Sequence, residues 1–191
     1  RQDPDIILVW ETRTKETAQI AINASLTGHL VFTTLHTNSV LDSLSRLMNM
    51  GVEPYLLTPA LQLVIGQRLV RRVCPHCWEW VEATPEENTE IKRVLGELQD
   101  YHPEMWNEYK WKVFHAKGCD KCNNSWYLGR MAIIEVLEVD DEMRNKIMKE
   151  EPGENLVPFA KNLGFVPMQW DWILKVINWL TDLKEVRRVA Y

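Results

Sequence analysis

Asp5-Ile6-Ile7-Leu8-Val9-Trp10-Glu11 and His29-Leu30-Val31-Phe32-Thr33-Thr34-Leu35-His36 are the two stretches that decide the fold class. Each holds a short apolar run rich in β-branched or aromatic residues, which predicts a buried strand of a parallel sheet. Between them, Thr14 to Leu26 places Ala18, Ile22 and Leu26 at helical spacing, and Gly28 stands where a helix end takes glycine. After the second stretch a helix is expected from Ser39 to about Met50, with Leu41, Leu44, Leu47 and Met48 on one face and Gly51 closing it. Strand, helix, strand, helix in so short a length predicts an α/β fold with parallel strands.

Downstream, Pro54 to Arg72 reads as largely helical. Thr84-Pro85-Glu86-Glu87 supplies an N-cap, a proline at the first helical position and a glutamate at the third, and Ile91, Val94, Leu95 and Leu98 continue that helix. Met131 to Val139 reads as a strand and Asp140 to Glu150 as a charged helix. The tail from Gly153 is expected to be helical, with a break near Gly164 and Pro167.

The 191 residues suffice for one ordinary domain, or one domain with a small appended module. The longest apolar region, Tyr55 to Ile65, is broken by Thr58, Pro59 and Gln62, so no transmembrane helix is expected. No basic segment precedes an apolar one as in a signal peptide. The chain starts with Arg1 rather than Met and runs at once into a strand, so it is expected to be a piece that begins inside a domain. A net charge of −5 argues against a nucleic-acid surface, and the one local basic turn, Arg68, Arg71 and Arg72, fits a solvated face.

Four cysteines form two CxxC knuckles, Cys74-Pro75-His76-Cys77 and Cys119-Asp120-Lys121-Cys122, separated by 41 residues. Without a secretory signal, paired knuckles favour a metal over disulfides. Two knuckles supply the tetrahedral thiolate set of a structural zinc, and four thiolates leave no open position for catalysis. The competing readings are a redox CxxC, which gives no reason for a second pair, and inert buried thiols. His76 and His115 are expected to be bystanders, because four sulfurs already saturate the metal.

In open α/β sheets, ligands bind beyond the carboxyl ends of the strands. Glu11 stands at that end of the first strand and His36 at that end of the second, while His29 enters the second strand from the other side. A carboxylate there can orient and activate a water, and a histidine can stabilise a transferring phosphate. Taken singly, a glutamate after a strand is an ordinary loop residue and a lone histidine an ordinary structural one.

Taken in order, longer motifs carry a resemblance. Arg1 to Arg13 resembles the Walker B signature of the type II secretion and type IV pilus assembly ATPases, and Thr27 to Asn38 resembles the histidine box of the same family. Gln67 to Cys77 and the Cys119–Cys122 knuckle match its four-cysteine module. The resemblance implies a RecA-like P-loop NTPase core, a zinc module and a helical tail, divided at 1–73, 74–139 and 140–191. It implies an ATPase that works as a homo-hexamer in the cytoplasm, against a platform protein at the inner face of the cytoplasmic membrane. It further implies ATP and magnesium as the full-length protein's cofactors, with Glu11 as catalytic carboxylate and Glu11, Arg13 and His36 near the nucleotide. His29 and His36 would couple the γ-phosphate to subunit movement. The cysteine module is similar to that of the assembly and secretion branch, which favours pilus extension over retraction.

Two departures qualify the resemblance. No G-x-x-x-x-G-K-[ST] occurs in the chain, so the phosphate-cradling loop is expected upstream, and this piece is not expected to hydrolyse ATP alone. Tryptophan also outnumbers glycine, nine to eight, where glycine averages about 7%. Trp10, Trp126, Trp172 and Trp179, with Trp78, stand where the family carries glycine. A gene whose UGA codons are decoded as glycine, but written under a table that reads UGA as tryptophan, would produce that pattern. A diverged paralogue is the alternative, and Thr12 and Thr14 lean towards it. The function classes that follow are a secretion or pilus-assembly ATPase, a non-catalytic zinc-stapled module that holds a ring together, and a DNA-translocating motor. The acidic balance and the lack of an aromatic–basic groove argue against the last.

Overall fold

The computed structural model describes residues 4–105, 112–149 and 153–190. Arg1 to Asp3 of the first motif, and Glu150 at the expected helix end, lie outside them. In order the elements are β1 (Ile6–Val9), α1 (Lys15–Leu26), β2 (Leu30–Thr33), α2 (Val40–Asn49), α3 (Pro54–Ala60), β3 (Leu63–Val73) and β4 (Trp78–Glu82). There follow α4 (Pro85–Tyr101), β5 (Lys112–Ala116), β6 (Tyr127–Glu138), α5 (Asp141–Met148), α6 (Gly153–Asn162), α7 (Met168–Ile177) and α8 (Leu183–Ala190). The chain divides into two compact units, one of residues 1–66 with 136–165, the other of 67–135 with 166–191.

In the first unit β1 and β2 pair in parallel, from Ile6 opposite Leu30 to Val9 opposite Thr33. Thr14 caps α1 by accepting from the Thr17 N–H, and Ser39 caps α2 by accepting from the Asp42 N–H, each meeting an amide that the helix leaves unpaired. The predicted helical stripes face inward, except that Leu26 in the last turn of α1 is exposed. Ala18 and Ile22 of α1, Leu41, Leu44 and Leu47 of α2, Leu57 of α3, Met143 and Ile147 of α5, and Leu156 and Ala160 of α6 share one core. Each fully buried Leu or Ile contributes about 1.5–3 kcal/mol.

Full burial of the first two strands was expected, and the structure corrects this. Val31 faces α1 and lines a small cavity with Ala18 and Ile22, but Ile6, Leu8, Leu30 and Phe32 are more than half exposed. Successive strand side chains point to opposite faces, and among the described residues only one face of this pair is covered by a helix.

A second correction falls between Pro54 and Arg72, where a helix was expected. The helix α3 stops at Ala60, with Pro59 in its last turn, and β3 follows and pairs with β6. Pro59 supplies no N–H to extend the helix, and Val64, Ile65, Val70 and Val73 are β-branched side chains that suit the pleat.

In the second unit β4 and β5 pair antiparallel, with Trp80 opposite Phe114. The capping box on α4 is present: Thr84 accepts from the Glu87 N–H at 3.2 Å, and Glu87 accepts from the Thr84 N–H at 2.9 Å. Ile91, Val94, Leu95 and Leu98 of α4 pack into one core with Trp170, Trp172, Ile173 and Val176 of α7 and Leu183 and Val186 of α8. The fully buried Glu185 of α8 accepts from the Arg71 N–H at 2.9 Å and from the guanidinium groups of Arg71 and Arg188. Thr181 donates to the Arg71 carbonyl and the Val73 N–H donates to the Leu180 carbonyl. The end of β3, immediately before Cys74, is thereby pinned to the α7–α8 connection.

Candidate functional site

At the carboxyl end of the parallel pair three threonines stitch the two segments together. The Thr12 N–H donates to the Thr34 carbonyl at 2.9 Å, the Thr34 hydroxyl donates to the Trp10 carbonyl at 2.5 Å, and the Thr12 and Thr33 hydroxyls lie 2.8 Å apart. Thr12 is buried, so the residue that departs from the family pattern is a satisfied structural one here. The stitching fixes Glu11 next to His36. One Glu11 carboxylate oxygen, Oε1, accepts from Arg13 Nε at 2.5 Å and lies 3.2 Å from His36 Nε2.

The Glu11 side chain is 13% exposed, while Arg13 and His36 are mostly open to solvent. The hydrogen bond from Arg13 holds the Glu11 carboxyl below its usual range, with the positive charge of Arg13 acting in the same direction against partial burial. Glu11 is therefore an ionised, acceptor-only group at neutral pH, suited to orienting a water or the hydration shell of a divalent cation. Beside it opens a polar cleft of about 570 Å³ lined in part by Arg13, His36, Asn38 and Arg46. Arg46 projects from α2 and also lowers the Glu11 carboxyl through its charge. The sequence reading had not singled it out, and its place in the last turn of an amphipathic helix gave no signal of this.

His29 is not brought to that cluster. It precedes β2 at the opposite end from His36, about 20 Å along an extended chain. Its Nδ1 lies 3.0 Å from the Ala24 carbonyl and 3.1 Å from the Thr27 hydroxyl, at the C-terminal end of α1. Trp10, next to Glu11, is 83% exposed.

The four cysteines converge in the second unit, where all four sulfurs lie within 4.8 Å of one another. Cys74 and Cys119 are 3.9 Å apart, and Cys77 and Cys122 as well as Cys119 and Cys122 are 3.8 Å apart. Metal–sulfur bonds of about 2.3 Å in a tetrahedron place the sulfurs about 3.8 Å apart, far beyond a disulfide length. Local backbone builds the knuckles: Gly118 adopts φ +90° before Cys119, and Asn123 and Asn124 adopt left-handed conformations after Cys122, which asparagine tolerates well.

The Cys74 N–H is held by the residue 126 carbonyl at 3.0 Å. Burial pushes the Cys77 thiol up to about 12. Burial acts the same way on Cys122, but N–H groups of residues 119 and 126 outweigh it and hold that thiol at about 6. Cys122 is thus a readily formed thiolate, and the raised Cys77 thiol is one that a bound cation would ionise. His76 is exposed and His115 faces Glu87 at 3.9 Å, so neither belongs to the sulfur group. Among the described residues no helix is long and apolar enough to cross a membrane.

The family model described as type II/IV secretion system protein matches residues 1–188. Type II secretion system protein E of Dickeya dadantii is 43% identical over 192 residues, covering 100% of this chain and 35% of that protein. The type IV pilus assembly ATPase PilB of Thermus thermophilus is 41% identical over 186 residues, covering 97% of this chain and 20% of that protein. The chain thus spans about a third or less of the length of these curated relatives. Among solved structures, the pilus retraction motor PilT with bound ADP superposes with a TM-score of 0.61 at 21% identity, covering 98% of this chain and 40% of that one. The Legionella pneumophila ATPase DotB superposes with a TM-score of 0.59 at 22% identity, covering 97% and 38%.

Proposed function

Because the chain belongs to the type II/IV secretion system protein family, we propose that it is the carboxyl-side part of an ATPase that powers type IV pilus assembly or type II secretion. The observation that carries the reading is the ionised Glu11 at the carboxyl end of β1, 3.2 Å from His36 at the end of the parallel neighbour β2. Ligands of open α/β sheets bind at that end. A non-catalytic ring module would leave this acid without a task.

In this reading Glu11 accepts a hydrogen bond from the attacking water and orients it, and Arg13 keeps the carboxylate ionised by its bond to Oε1. His36, largely solvent-facing, answers the presence of a terminal phosphate and moves with the segment that follows β2. His29 acts at a distance, as a positioning residue that ties the end of α1 to the start of β2. A magnesium ion held with the nucleotide would neutralise phosphate charge, and the residues present fit this, since Glu11 offers a carboxylate to the ion's hydration shell and Arg13 and Arg46 line the cleft where phosphates would lie. The cradle for the nucleotide's phosphates would come from chain outside Arg1 to Tyr191.

The cysteine module, residues 74–139, takes one zinc as a structural staple, supported by sulfur spacings near a tetrahedral edge. The working assembly is a homo-hexamer in the cytoplasm, bound at the inner face of the membrane to a platform protein, and its branch is assembly rather than retraction. The decisive test is steady-state ATP hydrolysis by the full-length protein with Glu11→Gln. Loss of about 10²-fold or more in kcat with nucleotide binding retained is expected, and unchanged turnover would refute the assignment.

A further inference from the structure

Four helices among the described residues end in the same doubly hydrogen-bonded motif. After α1, the Gly28 N–H donates to the Ser25 carbonyl and the His29 N–H to Ala24; after α2, Gly51 donates to Met48 and Val52 to Leu47. After α6, Gly164 donates to Lys161 and Phe165 to Ala160. After α7, the Trp179 N–H donates to Val176 at 3.0 Å and the Leu180 N–H to Lys175 at 2.9 Å. This is the Schellman arrangement, in which the residue just past the cap must be left-handed and is usually glycine. The first three positions are glycines at φ +97°, +85° and +91°; the fourth is tryptophan at φ +68°.

A second tryptophan repeats the anomaly. Trp126 adopts φ +72° in the turn that leads from Cys122 into β6, where its carbonyl receives the Cys74 N–H. A bulky residue at positive φ is a steric outlier, because its Cβ meets the neighbouring carbonyl. Trp179 packs its ring against Trp80 and Phe114 at 5.0 and 5.1 Å, and Lys184 lies 4.7 Å over Trp126, but both indoles are about half exposed and stand outside the second unit's buried core. Trp170 is the counter-example inside the same chain: it lies within α7, has no positive φ and is fully buried in the second unit's core.

We propose that residues 126 and 179 are glycine in the protein as its own cell makes it, their codons being UGA decoded as glycine, whereas Trp170 is a true tryptophan. Trp10 lacks the positive φ, and Trp172 lacks it too and is buried beside Trp170 in the same helix and core, so the geometry assigns glycine only to residues 126 and 179. The proposal is independent of the ATPase reading, since it rests on the backbone conformation of these two residues and on the chain's excess of tryptophan over glycine.

The test reads the gene and the protein together. Expected are UGA codons at 126 and 179, a UGG codon at 170, and peptides from protein isolated from its native cell that carry glycine masses at the first two positions. UGG codons at 126 and 179, or tryptophan masses there, would overturn it. A physical arm uses the recombinant chain. Trp179→Gly is expected to raise the thermal midpoint by about 2–4 °C, as relief of about 1 kcal/mol does in a chain of this length, while Trp170→Gly lowers it by opening a core cavity. A Trp179→Gly variant that melts no higher than its parent would remove the backbone argument.

Discussion

Replacing Glu185 by Gln preserves the shape of a fully buried side chain and deletes the charge that Arg71 and Arg188 face. Burial alone would raise this carboxyl; the bonds from Arg188 and Arg71 outweigh it and hold its pKa at about 2, against an ordinary 4.5. At about 1.4 kcal/mol per pH unit, that depression corresponds to on the order of 3 kcal/mol of stability. The outer ends of Arg71 and Arg188 are 41% and 56% exposed. They rehydrate once the partner is gone, so the expected loss at pH 7 is about 2 kcal/mol.

A depressed carboxyl stabilises fully above its unfolded pKa near 4.5, and that stability fades as pH falls towards 2. Glutamine does not titrate, so the gap between parent and variant should be full at pH 7 and should narrow steadily below about pH 4.5. Urea unfolding followed by the emission of Trp170 and Trp172, which share a core with α8, reads the right unit. Equal midpoints at pH 7, or a gap that stays constant down to pH 3, would refute the clamp as described.

Two further outcomes follow from the same unit. Cys119→Ser, or prolonged exposure of the parent to a strong chelator, should remove one zinc per chain by elemental analysis and lower the unfolding midpoint of the second unit, because metal affinity is folding energy; full stability without metal would contradict the staple. Thr84→Ala should cost about 1 kcal/mol through loss of the N-cap bond to Glu87 on α4, read as a lower urea midpoint with unchanged slope, and no shift would show the cap to be idle.

Local chemistry made much of the fold legible in the sequence. The helices α1, α2 and α4 were readable because their caps, their apolar stripes and, for the first two, their terminal glycines act within a few residues. The strand β1 was readable from its β-branched run. The strand β3 was not, because Leu63 to Val73 takes its conformation from pairing with β6, more than fifty residues away in the chain, a partner that local propensity does not report. The strands β4 and β5 were missed for the same reason.

The sites divide along the same line. Spacing alone predicted two knuckles, Cys74 with Cys77 and Cys119 with Cys122, since each brings two sulfurs together whatever the rest of the chain does, but only the fold brings all four sulfurs within 4.8 Å of one another. Strand order alone placed Glu11 and His36 at the same end of a parallel pair. Only the tertiary structure decided that Glu11 meets Arg13 and His36 while His29 turns to the Ala24 carbonyl, because hydrogen-bond partners are chosen by which elements pack side by side. It alone also separated the tryptophans: φ is a property of the folded backbone, and the composition that raised the question holds no record of it.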